Sequence, residues 1–297
     1  MNVFSADWLG ICRRAVAAQR AIFDEVRGSE ARTVYEGVGE GGDRTLVIDR
    51  RCEDAVFAEL EAVAAEGAAS FVAVSEERGE VSFGEGGEAR VVIDPIDGSL
   101  NARRTIPSHS LSLAVASGPS MADVEFGYVY DFGAGEEFVA RRGTGATLTP
   151  GETFYPPISG EKRFTGSVME DGEPIRVAPQ AGPKLEVVGA EAAEPERARA
   201  ALEALRGKAY RLRVVGSLAI TGAYVAAGRF DGMLSLRPCR SVDVAAAQLL
   251  VREAGGQVAF GDLAVDEAPL GLDARYPMAA AATAAALATI RAAQSTT

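Results

Sequence analysis

Histidine is almost missing from this chain of 297 residues, where His109 stands alone. That scarcity excludes imidazole-rich metal sites and leaves a Ser-His-Asp triad without support, so any metal must be held by carboxylates. Cysteine is scarce too. Cys12, Cys52 and Cys239 are scattered without CxxC spacing, which gives no disulfide framework and reads as reduced thiols in a cytoplasmic protein. Positive charge is in short supply: 30 Lys and Arg against 42 Asp and Glu give a net charge of −12. This argues against nucleic acid and anionic membranes as partners. It still admits a phosphorylated substrate, because bound metal ions reverse the local sign. No apolar run reaches the roughly 18 residues of a membrane span, and the N-terminus lacks a basic-then-apolar signal pattern.

What is present is an ordinary globular balance, 47% hydrophobic and 24% charged, in a length that suits one large domain or two smaller ones. Periodicity predicts a helix over Asp7–Val26 with Ser5 as its cap, short strands at Thr33–Tyr35 and Thr45–Ile48, and a helix from Asp49 to about Ala65. Gly37–Gly42 spells GxGxxG, yet no helix opens at its last glycine, so it reads as a surface loop or flap and not as a dinucleotide site. Strands are predicted at Phe71–Val74 and Val91–Ile93, joined by a loop carrying Gly79, Gly84, Gly86 and Gly87. An antiparallel meander follows over Leu111–Val115, Val124–Asp131 and Glu136–Arg141. Leu148–Gly172 reads as a long surface excursion, and Glu173–Val177 as an edge strand because of Pro174. From Lys184 strands and helices alternate. The expectation is therefore an α+β protein, with an antiparallel-rich half over residues 1–180 and an α/β half over 181–297.

The chemistry concentrates where strand Val91–Ile93 runs into Asp94-Pro95-Ile96-Asp97-Gly98-Ser99-Leu100-Asn101. Proline lacks a donor and should end the strand. Asp-Pro and Asp-Gly are common turn punctuation. Two carboxylates at the mouth of an apolar strand are nevertheless costly to desolvate without a cation, and an oxygen-rich set suits Mg²⁺. Glu76 ends the neighbouring predicted strand, so three acids meet if the two strands lie side by side. Asp49 is either a helix-start acid or part of this cluster. Asp243 sits in the first turn of a helix otherwise built of Ala, Val and Leu, which makes it a candidate ligand. Gly216-Ser217 at a helix start is either a plain N-cap or a site for phosphate or hydroxyls. His109 reads as structural.

Asp94–Asn101 resembles the DPIDG(S/T)xN signature of the Mg²⁺-dependent, lithium-sensitive phosphatases, which include inositol monophosphatase, fructose-1,6-bisphosphatase and the bisphosphate nucleotidases. Ser75-Glu76-Glu77 is similar to the upstream acidic signature. Ser241–Ala247 followed by Glu253-Ala254-Gly255-Gly256 is similar to WDxAAG…EAGG, with Val242 in place of Trp. Gly41-Gly42-Asp43, Ile48-Asp49 and Tyr128-Val129-Tyr130 resemble the archaeal-type branch with both activities. The resemblance implies a layered αβαβα sugar-phosphatase sandwich, a homodimer and two to three Mg²⁺ ions. It implies that Glu76, Asp94, Asp97, Asp243 and the Ile96 carbonyl hold metal. Ser99, backed by Asp49, would orient and deprotonate a metal-bound water, while Gly98 and Ser99 hold the phosphate. The acid found in inositol-selective members seven residues before the last metal Asp is Leu236 here, beside Arg237. Arg237 is either a strand-end arginine or a partner for a second phosphate, as in fructose 1,6-bisphosphate. The rival readings are a 3′-phosphoadenosine or histidinol phosphate phosphatase, and an inactive relative that only binds.

Overall fold

The computed structural model describes residues 3–38, 44–65, 70–151, 172–179 and 182–296. Two readings fall partly beyond these. Residues 39–42 of the glycine-rich flap and 152–171 of the long excursion lie outside the described residues.

Helix α1 (Trp8–Glu25) forms because Trp8, Ile11, Cys12, Ala15, Gln19 and Phe23 fall on one buried face. Its cap is Asp7, whose Oδ1 accepts from Gly10 N at 3.0 Å; Ser5, the expected cap, belongs to a preceding 3-10 turn. Strands β1 (Tyr35–Val38) and β2 (Arg44–Leu46) pair antiparallel. Helix α2 (Val47–Ala65) then starts two residues before Asp49, which lies in its first turn.

The large sheet contains β3 (Phe71–Ser75), β4 (Gly79–Phe83), β5 (Arg90–Asp97), β6 (Ser110–Ala116), β7 (Val124–Asp131), β8 (Glu136–Arg141), β9 (Gly145–Thr149) and β10 (Glu173–Ile175). Their order is β10-β9-β8-β7-β6-β5-β3-β4. Short helix α3 (Ser99–Arg103) links β5 to β6. Two expectations need correction. Gly79–Phe83 is a strand paired with β3, not loop; the alternation Val81-Ser82-Phe83 was its signal, masked by flanking glycines. Strand β5 does not stop at Pro95 but runs to Asp97.

The second half supplies β11 (Leu185–Glu191), α4 (Pro195–Ala204), β12 (Ala209–Arg213), α5 (Leu218–Ala226), β13 (Gly232–Ser235), β14 (Cys239–Arg240), α6 (Ser241–Glu253), β15 (Gln257–Phe260), β16 (Arg275–Tyr276), β17 (Met278–Ala281) and α7 (Ala284–Gln294). A five-stranded sheet runs β12-β11-β13-β17-β15, and β14 pairs with β16 apart from it. Helices α1 and α2 cover one face of the large sheet. Helices α5 and α6 lie between the two sheets, and α4 and α7 close the far side. This is the expected αβαβα sandwich.

Both faces of β5 are covered: Val92 joins the core under α5 and α6, while Val91 and Ile93 join that under α1 and α2. That is why its sequence is a continuous apolar run. The central helices are rich in alanine because the layers approach closely. A Cβ on Gly127 of β7 would lie 3.0 Å from Ala246 O, and one on Gly222 would lie 2.7 Å from Ala247 Cβ. Among the described residues no helix is long and apolar enough to cross a membrane.

Candidate active site

Strands β3 and β5 run parallel, and their last pair is Ser75 with Ile93. Past that pair β3 leaves the sheet, while β5 runs on against β6 alone. Glu76 follows β3, and Asp94 to Asp97 follow on β5. Against β6 the register holds through Asp94–Ser112 and resumes at Asp97–Ser110, so Pro95 and Ile96 form a bulge. The bulge is what tolerates a residue with no N–H to give the ladder. It also turns the chain so that Asp94 Oδ1 accepts from Ile96 N at 3.0 Å. Helix α6 brings in Asp243, which accepts from Arg240 N at 2.8 Å. Glu76, Asp94 and Asp243 each offer an oxygen, and these oxygens lie within 4.8 Å of one another.

The acids border a cleft of about 410 Å³, whose walls include Ile96, Asp97, Gly98, Ser99, Arg237, Arg240 and Arg275. Its electrostatics are those of a site short of positive charge. Burial pushes the Asp94 carboxyl well above the usual carboxylate range, and Asp97, Glu76 and Asp243 push it further. Asp97 is raised to about 7 by burial and by Asp243, against the opposing pull of Ser217 and Ala219. Asp243 is raised to about 6, chiefly by burial. The Arg240 guanidinium pairs with Glu76.

Asp49 stands behind this edge, on α2. Its Oδ2 accepts from Leu46 N at 3.4 Å, and its Oδ1 is buried without a hydrogen-bond partner. Burial, and then the charges of Glu77 and Glu76, raise it to about 7. Ser99 reaches the cleft, but its hydroxyl donates to Ile96 O at 2.9 Å. Among the described residues no hydrogen bond joins it to Asp49. Gly98 holds the turn with φ of +90°, and a Cβ there would lie 2.9 Å from Gly216 O.

Two substrate-side readings separate. Arg237 lines the cleft, with one ion pair to Glu194 at 3.4 Å; Leu236 is buried. Ser217 is not brought to the cleft. It is buried, donates to Asp97 Oδ2 at 2.5 Å and accepts from Ile220 N at 3.1 Å. Ser217 is thus an N-cap that grips Asp97, and the expectation that it contacts substrate is corrected.

Sequence reading missed several supporting residues. Arg240 and Arg275 come from the β14–β16 pair. Gln19 of α1, fully buried, donates to Pro95 O at 3.0 Å inside the bulge. Glu53 of α2 accepts from Ser75 Oγ at 2.5 Å, fixing the strand end that presents Glu76. Arg240 had a signal, three residues before Asp243. Gln19 and Glu53 had none, because their partners are remote in sequence.

A model of the inositol monophosphatase family matches residues 10–296. A fructose-1,6-bisphosphatase/inositol-1-monophosphatase of Methanothermobacter thermautotrophicus is 30% identical over 262 residues, spanning 84% of this chain and 83% of the relative. A protein of the same description from Thermococcus kodakarensis is 32% identical over 231 residues, spanning 75% and 72%. The crystal structure of an inositol monophosphatase–fructose 1,6-bisphosphatase superposes with a TM-score of 0.77 at 25% identity, covering 97% of this chain and all of that one. With this sandwich, this acidic edge and these relatives, the chain belongs to the inositol monophosphatase family and is a phosphatase.

Proposed function

We propose that the cleft hydrolyses phosphate monoesters of small polyols and sugars, inositol 1-phosphate and fructose 1,6-bisphosphate above all, with Mg²⁺ bound at the acidic edge. The relatives named for these two activities support the substrate class. The convergence of Glu76, Asp94 and Asp243 within 4.8 Å carries the site assignment. The donor set fits the ion: hard oxygens, packed so tightly that burial and neighbouring acids push the Asp94 carboxyl upward, are what a small divalent cation relieves.

In this reading Glu76, Asp94, Asp97, Asp243 and the Ile96 carbonyl hold two to three ions. When bound, Mg²⁺ supplies an acidified water, a clamp on phosphate oxygens and charge to offset the leaving alkoxide. The protein does the rest. Asp49, a carboxyl held at about 7 with one unbonded oxygen, takes up a proton near neutral pH. Ser99 orients the attacking oxygen. The backbone N–H groups of Gly98 and Ser99 receive the phosphate. Arg237 meets a second phosphate where the substrate carries one.

The same proposal takes the enzyme as a cytoplasmic homodimer with a division near residue 180. Three buried, unbridged cysteines support the location, and the family resemblance supports the assembly. The test is phosphate release from fructose 1,6-bisphosphate, inositol 1-phosphate, 3′-phosphoadenosine and histidinol phosphate, each with and without Mg²⁺. Mg²⁺-dependent turnover of the first two is expected. Preference for either of the last two would overturn the substrate class.

A further inference from the structure

Glu191 ends β11 with its side chain 1% exposed, an expensive place for a carboxylate unless donors surround it. Three do. Oε1 accepts from Val215 N at 3.0 Å and Thr221 Oγ1 at 2.8 Å, and Oε2 accepts from Gly216 N at 2.8 Å. All three donors belong to the turn that opens α5 or to its first residues. The Asp94–Asn101 motif grips the same turn from the opposite side. Asn101 Nδ2 donates to Val215 O at 2.8 Å. Gly216, at φ of +84°, packs so closely that a Cβ would lie 2.5 Å from Asn101 Nδ2. Held from both sides, the turn aims two donors at one oxygen: Ser217 Oγ at 2.5 Å and Ala219 N at 2.7 Å from Asp97 Oδ2.

We propose that Glu191 is a positioning residue for Asp97, whose carboxylate sets the 215–217 turn so that Ser217 and Ala219 fix Asp97 in the cleft. The inference rests on the reading of Asp97 as a cation ligand. A carboxylate suits the task because it only accepts, and every group facing it donates. Glutamine has nearly the same shape but would turn an amide N–H toward at least one backbone N–H, loosening the turn while keeping the volume.

The experiment compares wild type, Glu191→Gln, Ser217→Ala and the double variant. It reads Mg²⁺ affinity by calorimetry without substrate, kcat and KM on inositol 1-phosphate, and thermal unfolding in EDTA. For Glu191→Gln, Mg²⁺ Kd should rise at least fivefold and kcat fall at least tenfold, with KM changed less than twofold. The double variant should be no worse than the more damaged single one, because both act through Asp97. A lowered melting point with unchanged Mg²⁺ Kd and kcat would make Glu191 merely structural and overturn the proposal, as would multiplying effects in the double variant. If Glu191→Gln does not fold, Thr221→Val decides: it removes one of three donors, and its Mg²⁺ Kd should rise at least twofold, an unchanged value being refutation. Asp97→Asn separates the two claims. Wild-type Mg²⁺ affinity and turnover in that variant would sink the ligand reading itself. Loss in Asp97→Asn with none in Glu191→Gln would sink only the inference.

Discussion

Replacing Asp94 by asparagine should make the cation-free protein more stable and the enzyme inactive. Asp94 is buried beside Glu76 and Asp243, with oxygens within 4.8 Å. Two unit charges at that distance repel by about 3 kcal/mol at an effective dielectric of about 20. Two such pairs involve Asp94. The guanidinium of Arg240 on Glu76, and protonation of Asp94 itself, offset part of this. A net gain on the order of 1–3 kcal/mol remains, or a rise of roughly 2–6 °C in melting temperature for a chain of this size. The assay is thermal unfolding by circular dichroism near pH 7 in EDTA and in Mg²⁺, alongside phosphate release. In EDTA the Asp94→Asn protein should melt above wild type. Added Mg²⁺ should raise wild type by mass action and leave the variant where it was. Since the carboxyl is shifted upward, its unfavourable contribution grows as pH rises above the unfolded value, so the EDTA advantage should vanish near pH 4. A variant that melts below wild type in EDTA, or keeps both its Mg²⁺ response and its turnover, would refute the reasoning.

Other perturbations probe other parts of the site. Gly98→Ala forces a side chain into φ of +90° and 2.9 Å from Gly216 O; a loss of about 2 kcal/mol or more and at least tenfold in kcat is expected by denaturant titration and kinetics. Arg237→Ala should lower kcat/KM for fructose 1,6-bisphosphate roughly tenfold, the value of one charge-assisted bond, and leave inositol 1-phosphate within twofold; equal losses on both would remove the second-phosphate role. His109, wedged against Phe23 and Phe132, is lowered to about 4 by burial. The unfolded chain takes up this proton near pH 6.5 and the folded one does not, so stability is complete above 6.5 and falls as pH drops toward 4, by up to about 3 kcal/mol. His109→Phe should flatten that slope in acid unfolding curves; parallel curves would reject the assignment.

Elements with strong periodicity were legible in the sequence to the residue: Val124–Asp131, Glu136–Arg141 and Gln257–Phe260 are strands with those bounds. Boundaries failed where a local rule met a tertiary solution. Pro95 should end a strand, but β3 stops pairing at Ile93 and a bulge against β6 absorbs the proline. Ser5 looked like a cap, yet Asp7 is nearer the first buried turn and captures Gly10 N. At the site, the acids were visible because a carboxylate in an apolar run is conspicuous. Ser217 was legible as an N-cap, but its grip on Asp97 was not, since that partner comes from the other half of the chain. Glu53, Gln19 and Glu191 look like ordinary polar residues, and only the packing of distant elements gives them partners.

Helix α6 is the middle of the sandwich, touching both sheets, and its first turn carries Asp243. Glu76 and Asp94 come from the ends of β3 and β5 in the first sheet, far from Asp243 in the chain. Joining the three acids takes a long-range closure, which is costly to make early, so the acidic edge is expected to assemble late on the folding route. A cation that needs all three acids has nothing to bind in the transition state. If Mg²⁺ binds these acids as proposed, it should act as a brake on escape from the native state: the unfolding limb of a chevron plot should slow with added ion, while the refolding limb stays in place.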